Sequence, residues 1–210
     1  MKIVLFPGSF KPPHQGHLKV VESIIKKYNP DLFYIIISKK PRIIEKPFNK
    51  KLNEFSSEEL EILAKKYNIA SDKKSIEKAI EDGIIPSISP RVSFEFWNKY
   101  LEKFPEKIRD KIKLNVAFLP SPILTAFTIA KSKKMGKNDE IFLVKSEKDQ
   151  NNKRFSMFDS LGVKTKEIII PTFKDFNSWQ IRKAIYNKKP IGKFLPDLDS
   201  KNKKELLSLL

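Results

Sequence analysis

Residues 2–38 read KIVLFPGSFKPPHQGHLKVVESIIKKYNPDLFYIIIS, and their pattern decides the fold. The opening KIVLF (2–6) is a short unbroken apolar run, the mark of a strand buried on both faces. Gly and Pro punctuate 7–13, which reads as a loop. From Gln15 to Tyr28, Leu18, Val21, Ile24, Ile25 and Tyr28 recur at helical spacing. NPD stops that helix, and LFYIIIS (32–38) is a second buried strand. Strand, loop, helix and strand in fewer than forty residues make a βαβ unit, with parallel strands and a right-handed crossover.

Outward from this unit, KLNVAFL (113–119), EIFLVKS (140–146) and KEIIIP (166–171) are three further strand candidates. Ser121 and Pro122 suit the cap and first turn of a helix between the first two. NNKRFSMFDSLG reads as a short helix or loop. DFNSWQIRKAIYN reads as a helix opening near Asn177 or Ser178. The pieces predict an α/β fold: a Rossmann-like, five-stranded, mainly parallel sheet with helices on both faces. Residues 43–88 break the alternation. FSSEELEILAKKY carries a capping box, Ser56 with Glu59, and KKSIEKAIEDG a helix closing at Gly83. They predict a helical insertion over one edge of a domain spanning 1–195, a natural lid. SPRVSFEFWNKYLEKF adds a helix capped by Ser89 with Pro90 in its first turn, and 196–210 a terminal helical tail that frays.

The chain has 210 residues, 40% of them hydrophobic, and no cysteine. That length buries about 70% of the unfolded chain's surface. No apolar run approaches the roughly 20 residues of a membrane span. Lacking thiols and a signal-peptide pattern, the chain is expected in the cytoplasm, without a membrane partner. The net charge of +17 invites a nucleic-acid reading, but only five of the 42 basic residues are arginine. Lysine is spread along the chain among acidic residues, as on solvated helix faces. Nucleic acid is therefore not the expected partner; anionic, phosphate-rich ligands are.

Both histidines of the chain, His14 and His17, lie where the first strand hands over to the first helix. In an open parallel sheet ligands gather at such junctions. Amides near Gly8, Ser9 and Phe10 and at the helix start offer donors and a positive dipole end to an anion. Gly16 allows close approach, and an i, i+3 spacing puts both imidazoles on one side of the first turn. With Lys11 they suit charge building on phosphoryl oxygens. A metal centre is disfavoured, because the segment brings no acidic or thiol ligand.

His14-Gln15-Gly16-His17, after Gly8-Ser9-Phe10, resembles the HxGH signature of the nucleotidylyltransferase superfamily. Phe176-Asn177-Ser178-Trp179-Gln180-Ile181-Arg182 resembles its second motif, a Ser/Thr-rich helix start ending in Ile-Arg. In the relatives it resembles, SKKPR (38–42) runs directly into a helix like VSFEFWNKYL, so 43–88 stands out as inserted. The resemblance implies attack by an acceptor on the α-phosphate of a nucleoside triphosphate, with release of pyrophosphate and no covalent intermediate. It implies that His14, His17, Lys11 and Arg182 are catalytic. Gly8, Ser9, Phe10, Gly16, Ser146, Asn177 and Ser178 would bind the nucleotide, and Ser38, Lys39, Arg42 and Ser121 the acceptor. Magnesium would be held mainly by nucleotide phosphates, with no protein metal site.

Trp179 stands where the motif carries threonine; it is expected to pack in the core, with stacking on a base as the alternative. Trp97 with Phe94 and Tyr100 reads as core. The function implied is transfer of a nucleoside monophosphate, AMP from ATP favoured over cytidylyl transfer, to a phosphate-bearing small molecule, by a chain that can form a homo-oligomer. The alternatives are a nucleotide-binding protein without turnover and an RNA-binding module of the same fold.

Overall fold

Lys2–Gly8 forms strand β1, Gln15–Tyr28 helix α1 and Leu32–Ile37 strand β2. A two-residue strand β3 (Arg42–Ile43) leads to helices α2 (Ser57–Tyr67) and α3 (Lys73–Glu81), then to a second short strand, β4 (Ser87–Ile88). Helices α4 (Pro90–Leu101) and α5 (Glu106–Arg109) precede β5 (Ile112–Val116), α6 (Pro122–Ser132), β6 (Glu140–Ser146) and β7 (Lys164–Ile170). Helices α7 (Ser178–Tyr186) and α8 (Ser200–Leu207) follow. The computed structural model describes residues 1–171, 173 and 175–210.

The five long strands form one parallel sheet in the order β5-β2-β1-β6-β7, the Rossmann-like arrangement. Side chains alternate across it. Val4, Phe6, Phe33, Ile35, Ile37, Phe142 and Val144 pack with α1, α4, α7 and α8. Ile3, Leu5, Tyr34, Ile36, Ile141 and Leu143 pack with α6 and the 3-10 turn at Ser156–Leu161. Both faces are covered, so the central strands read as continuous apolar runs.

The caps form as their chemistry dictates. Ser89 Oγ accepts from the Val92 amide at 3.1 Å, and Pro90 fills the first turn of α4. Ser121 Oγ accepts from the Ile123 amide at the head of α6. The predicted boundaries of two edge strands shift. β7 starts at Lys164, ahead of the apolar run, because an edge strand tolerates polar residues on its open side. β5 ends at Val116, and Phe118 beyond it is largely exposed. The tail predicted to fray instead packs: Leu206 of α8 is buried with Tyr100 and Leu101 of α4, and Lys99 pairs with Glu205 at 2.8 Å.

Residues 44–86 hang from an antiparallel ribbon, Arg42 opposite Ile88 and Ile43 opposite Ser87. With Ile43 they hold a separate core of Phe55, Leu63, Ile76, Ala79, Ile80 and Ile85. The Ser56–Glu59 capping box closes in both directions, at 3.2 and 2.8 Å. This unit leans on α7: the Phe48 ring lies 5.3 Å from that of Tyr186, and Lys66 sits over the Tyr186 face. Among the described residues, no helix is long and apolar enough to cross a membrane.

Candidate functional site

From β1 the chain builds outward to β2 and β5, then returns across β1 to lay down β6 and β7. The order of strand addition therefore reverses between β1 and β6, and the crevice outside the carboxyl ends of those parallel strands is where such folds hold ligands. Gly8 ends β1 at this crevice, and the loop that follows carries the site.

Phe10 fixes the loop. Its backbone takes a positive φ of 51°, and its buried ring folds back under Gly8. A Cβ at Gly8 would lie 2.6–2.9 Å from three Phe10 ring atoms, so only glycine fits there. The Phe10 ring meets His17 edge-on at 5.0 Å and Trp97 at 5.4 Å. Three successive loop carbonyls are then held by side chains from other elements. Arg182 Nη1 donates to Lys11 O, Ser178 Oγ to Pro12 O at 2.8 Å, and Tyr100 Oη to Pro13 O at 3.1 Å.

His14 is the N-cap of α1, and Gln15 is the helix's first residue. The two imidazoles stack, centroids 3.7 Å apart and planes inclined by 25°. The His14 amide donates to His17 Nδ1 at 3.2 Å, which assigns the His17 proton to Nε2. Burial drives His17 well below the usual imidazole range, and the adjacent His14 adds to the effect. Burial likewise pushes His14 down to about 4. Both rings are neutral at pH 7, and each therefore offers one N–H and one lone pair. His14 Nδ1 is buried without a hydrogen-bond partner among the described residues. Gly16 lets that ring lie close: a Cβ there would sit 3.0 Å from His14 Nδ1 and from the Phe173 ring.

Around the pair are three crowded cations. Lys11 is 0% exposed, and its ammonium donates to Ser38 O at 2.9 Å. Burial, with Arg42 nearby, pushes it down to about 7. Arg182 is 5% exposed and donates through Nε and Nη2 to Phe48 O as well as through Nη1 to Lys11 O. Burial and Arg42 lower it to about 10. Arg42 is itself lowered by burial, against the pull of Glu54. Neither Lys11 nor Arg182 has an ion-pair partner among the described residues. Burying such charges unpaired costs several kcal/mol each, a penalty that an anion bound beside them would offset in part. No group of three or more His, Cys, Asp or Glu among the described residues is placed to hold a metal ion. A cationic donor set does not fit a protein-held magnesium.

Contacts thus join Lys11, His14, Gly16, His17, Ser38, Ser178 and Arg182 around one loop, with Arg42 beside them. Of the other residues singled out, Gly8 and Phe10 frame the same loop, whereas Ser146, Ser121 and Lys39 lie on other elements. Ser146 Oγ donates to Asp149, which also pairs with Arg154 at 3.0 Å. Ser121 caps α6, and Lys39 is exposed in the loop after β2. Asn177 is the N-cap of α7, its amide donating to Gln180 Oε1 at 3.1 Å, and Ser9 is half-buried in the loop. Ser178 and Arg182 spend their donors on the loop's backbone and on Phe48.

Trp179 contradicts the core expectation. Ile181 and Arg182 are the inward residues of α7, so Trp179 turns out and is 38% exposed. Sequence reasoning missed the parts played by Tyr100, Trp97 and Phe48. The first two were legible only as core. Phe48 acts through its carbonyl, which no side-chain pattern reveals.

Comparison with known proteins adds to this geometry. The cytidylyltransferase-like family model matches residues 5–73. Among solved structures, a crystal structure of NadR protein in complex with NR is similar over 81% of this chain, at 10% identity and a TM-score of 0.44. The alignment spans 38% of the length of that NadR chain. No curated protein matches. The resemblance to the nucleotidylyltransferase superfamily is borne out over the stretch that holds β1, the Lys11 loop and the histidine pair, where residues 5–73 match the cytidylyltransferase-like family model.

Proposed function

We propose that this chain is a nucleotidylyltransferase, moving a nucleoside monophosphate, AMP from ATP by preference, onto a phosphate-bearing small molecule with release of pyrophosphate. The observation that carries the reading is the stacked neutral pair His14–His17 beside two buried cations, Lys11 and Arg182, that no carboxylate among the described residues pairs. A triphosphate supplies the missing negative charge. In the reaction an acceptor oxygen attacks the α-phosphorus, the bond to the α,β-bridging oxygen breaks, and pyrophosphate leaves with that electron pair. Charge accumulates on phosphoryl oxygens, and catalysis is alignment plus charge stabilisation.

His17, its Nδ1 engaged by the His14 amide, donates from Nε2 to a phosphoryl oxygen as a neutral imidazole. His14 orients against it and adds a second donor. Lys11 binds next to Ser38 and gains its proton as the anion arrives, since an opposite charge reverses the burial effect. Arg182 holds the loop by Lys11 O, and it reaches the β- and γ-phosphates by exchanging Phe48 O for phosphate oxygens. Ser9 and Gly8 border the α-phosphate, and Asn177 and Ser178 the outer phosphates. Ser146 is assigned to the nucleoside, and Ser38, Lys39, Arg42 and Ser121 to the acceptor. Magnesium enters as part of the nucleotide substrate, held by its phosphates. The 43–88 unit, whose Phe48 carbonyl meets Arg182, acts as a lid.

The family-model match makes CTP the second donor to test. Pyrophosphate release is measured from each of ATP and CTP against a panel of phosphate-bearing acceptors, nicotinamide mononucleotide first. Release that needs both a nucleotide and an acceptor supports the reading. No release with any pairing, from protein shown to bind nucleotide, favours a binding protein without turnover.

A further inference from the structure

The face of α7 turned away from the histidines is not used by the chemistry above. Trp179 and Lys183, one helical turn apart, form a ridge between two adjoining clefts. One, of about 400 Å³, is closed by Lys46, Pro47, Phe48 and Asn49. The other, of about 460 Å³, is closed by the chain from Asn187 to Phe194 and includes Lys189, Pro190 and Lys193. The indole is the largest exposed side chain here, and four lysines, 46, 183, 189 and 193, stand around it. No aspartate or glutamate among the described residues lines either cleft. None of the four lysines forms an ion pair among the described residues.

We propose that this ridge binds single-stranded nucleic acid, with a base stacked on Trp179 and backbone phosphates tracked by Lys46, Lys183, Lys189 and Lys193. An exposed aromatic platform in a cationic groove is the chemistry of sequence-tolerant strand binding. A mononucleotide fills one cleft and meets only the lysines on that side. A strand occupies both clefts and crosses the ridge they share. A duplex hides its base faces in the stack and leaves the indole nothing to cover. Lysine, a mobile point charge, suits a flexible backbone better than it suits fixed bidentate recognition. The reading does not rest on nucleotidyl transfer: Trp179, Lys46, Lys183, Lys189 and Lys193 take no part in it, although Lys46 and Phe48 belong to the 43–88 unit.

The chain reports on this itself. Trp97 is fully buried and Trp179 is the exposed tryptophan, so quenching of intrinsic emission follows the ridge. The full chain is titrated with an eight-nucleotide uridine oligomer at low salt, then with uridine monophosphate at equal phosphate concentration and with a duplex of the same length. Binding to labelled oligomer is read in parallel by anisotropy. The oligomer is expected to quench and bind, with the monophosphate and duplex far weaker. Trp179→Ala is expected to weaken oligomer binding by about 5- to 150-fold, the range for losing one stacked base. Lys183→Ala/Lys189→Ala should lower the slope of log affinity against log salt by about 1.4, at roughly 0.7 for each phosphate that is no longer neutralised. His17→Ala should leave oligomer binding unchanged, which separates this site from the transfer site. Equal binding of monophosphate or duplex overturns the proposal. So does oligomer binding indifferent to the Trp179 and double-lysine variants, once circular dichroism shows both folded.

Discussion

Replacing Lys11 by methionine tests whether the loop is built for an anion. In the free protein the Lys11 amine is buried, meets a backbone carbonyl rather than a carboxylate and has Arg42 nearby, which lowers it from the ordinary 10.5 to about 7. The sign follows from proton binding. Between about pH 7 and 10.5 the unfolded chain keeps the proton and the folded chain sheds it, so stability rises with pH across that window. The penalty is fully present below pH 7. At about 1.4 kcal/mol per pH unit, Lys11 costs the fold about 5 kcal/mol at pH 6 and about 2 kcal/mol at pH 9. Methionine keeps the volume, removes the charge and gives up one hydrogen bond of about 1 kcal/mol. Lys11→Met should therefore stabilise the protein, by about 2–3 kcal/mol more at pH 6 than at pH 9. For a chain of this length that difference is roughly 5–10 °C in Tm. Urea or thermal melts of both proteins at the two pH values measure it, and comparing variant with wild type cancels the other titrating groups. Added pyrophosphate should narrow the gap at pH 6 by stabilising the wild type more than the variant. A gain that is the same at both pH values, or a variant that pyrophosphate stabilises as strongly, would refute the reasoning.

The other predictions concern the same loop. Gly8→Ala puts a methyl within 2.9 Å of the Phe10 ring and should cost about 1–3 kcal/mol in a denaturant melt, while displacing Phe10 from His17. Tyr100→Phe removes the side-chain donor on Pro13 O; it should cost about 1–3 kcal/mol and speed hydrogen exchange of the amides at 14–17. Below the usual imidazole range the unfolded chain protonates His14 while the folded ring, at about 4, does not. Stability should thus fall as pH drops from about 6.5 to 4, by about 3 kcal/mol from this group, and a His14→Gln variant should lose that slope.

The sheet was legible because its central strands are buried on both faces and carry almost nothing but apolar residues. The span of α1, Gln15 to Tyr28, follows from its stripe, and Ser89-Pro90 and Ser121-Pro122 announce their helices by capping chemistry. The ribbon Arg42–Ile43 with Ser87–Ile88 was not legible, since two residues carry no period. The histidine pair could be read from position and spacing. What holds it could not: Tyr100 reaches Pro13 across 87 positions, and Arg182 reaches Phe48 across 134. Each ends on a backbone carbonyl, which every residue has. Trp179 was misread because hydrophobicity alone argued for burial, whereas helix phase is set by Ile181 and Arg182 pointing inward.

The decisive measurement is pyrophosphate release by wild type and His17→Ala from whichever of ATP, CTP, GTP and UTP calorimetry with magnesium shows to bind. The account predicts that one nucleotide binds the wild type, and that His17→Ala, still folded, loses about 10²–10³ in turnover with the matching acceptor. Normal turnover by His17→Ala, or no binding of any nucleoside triphosphate to the wild type, would contradict it.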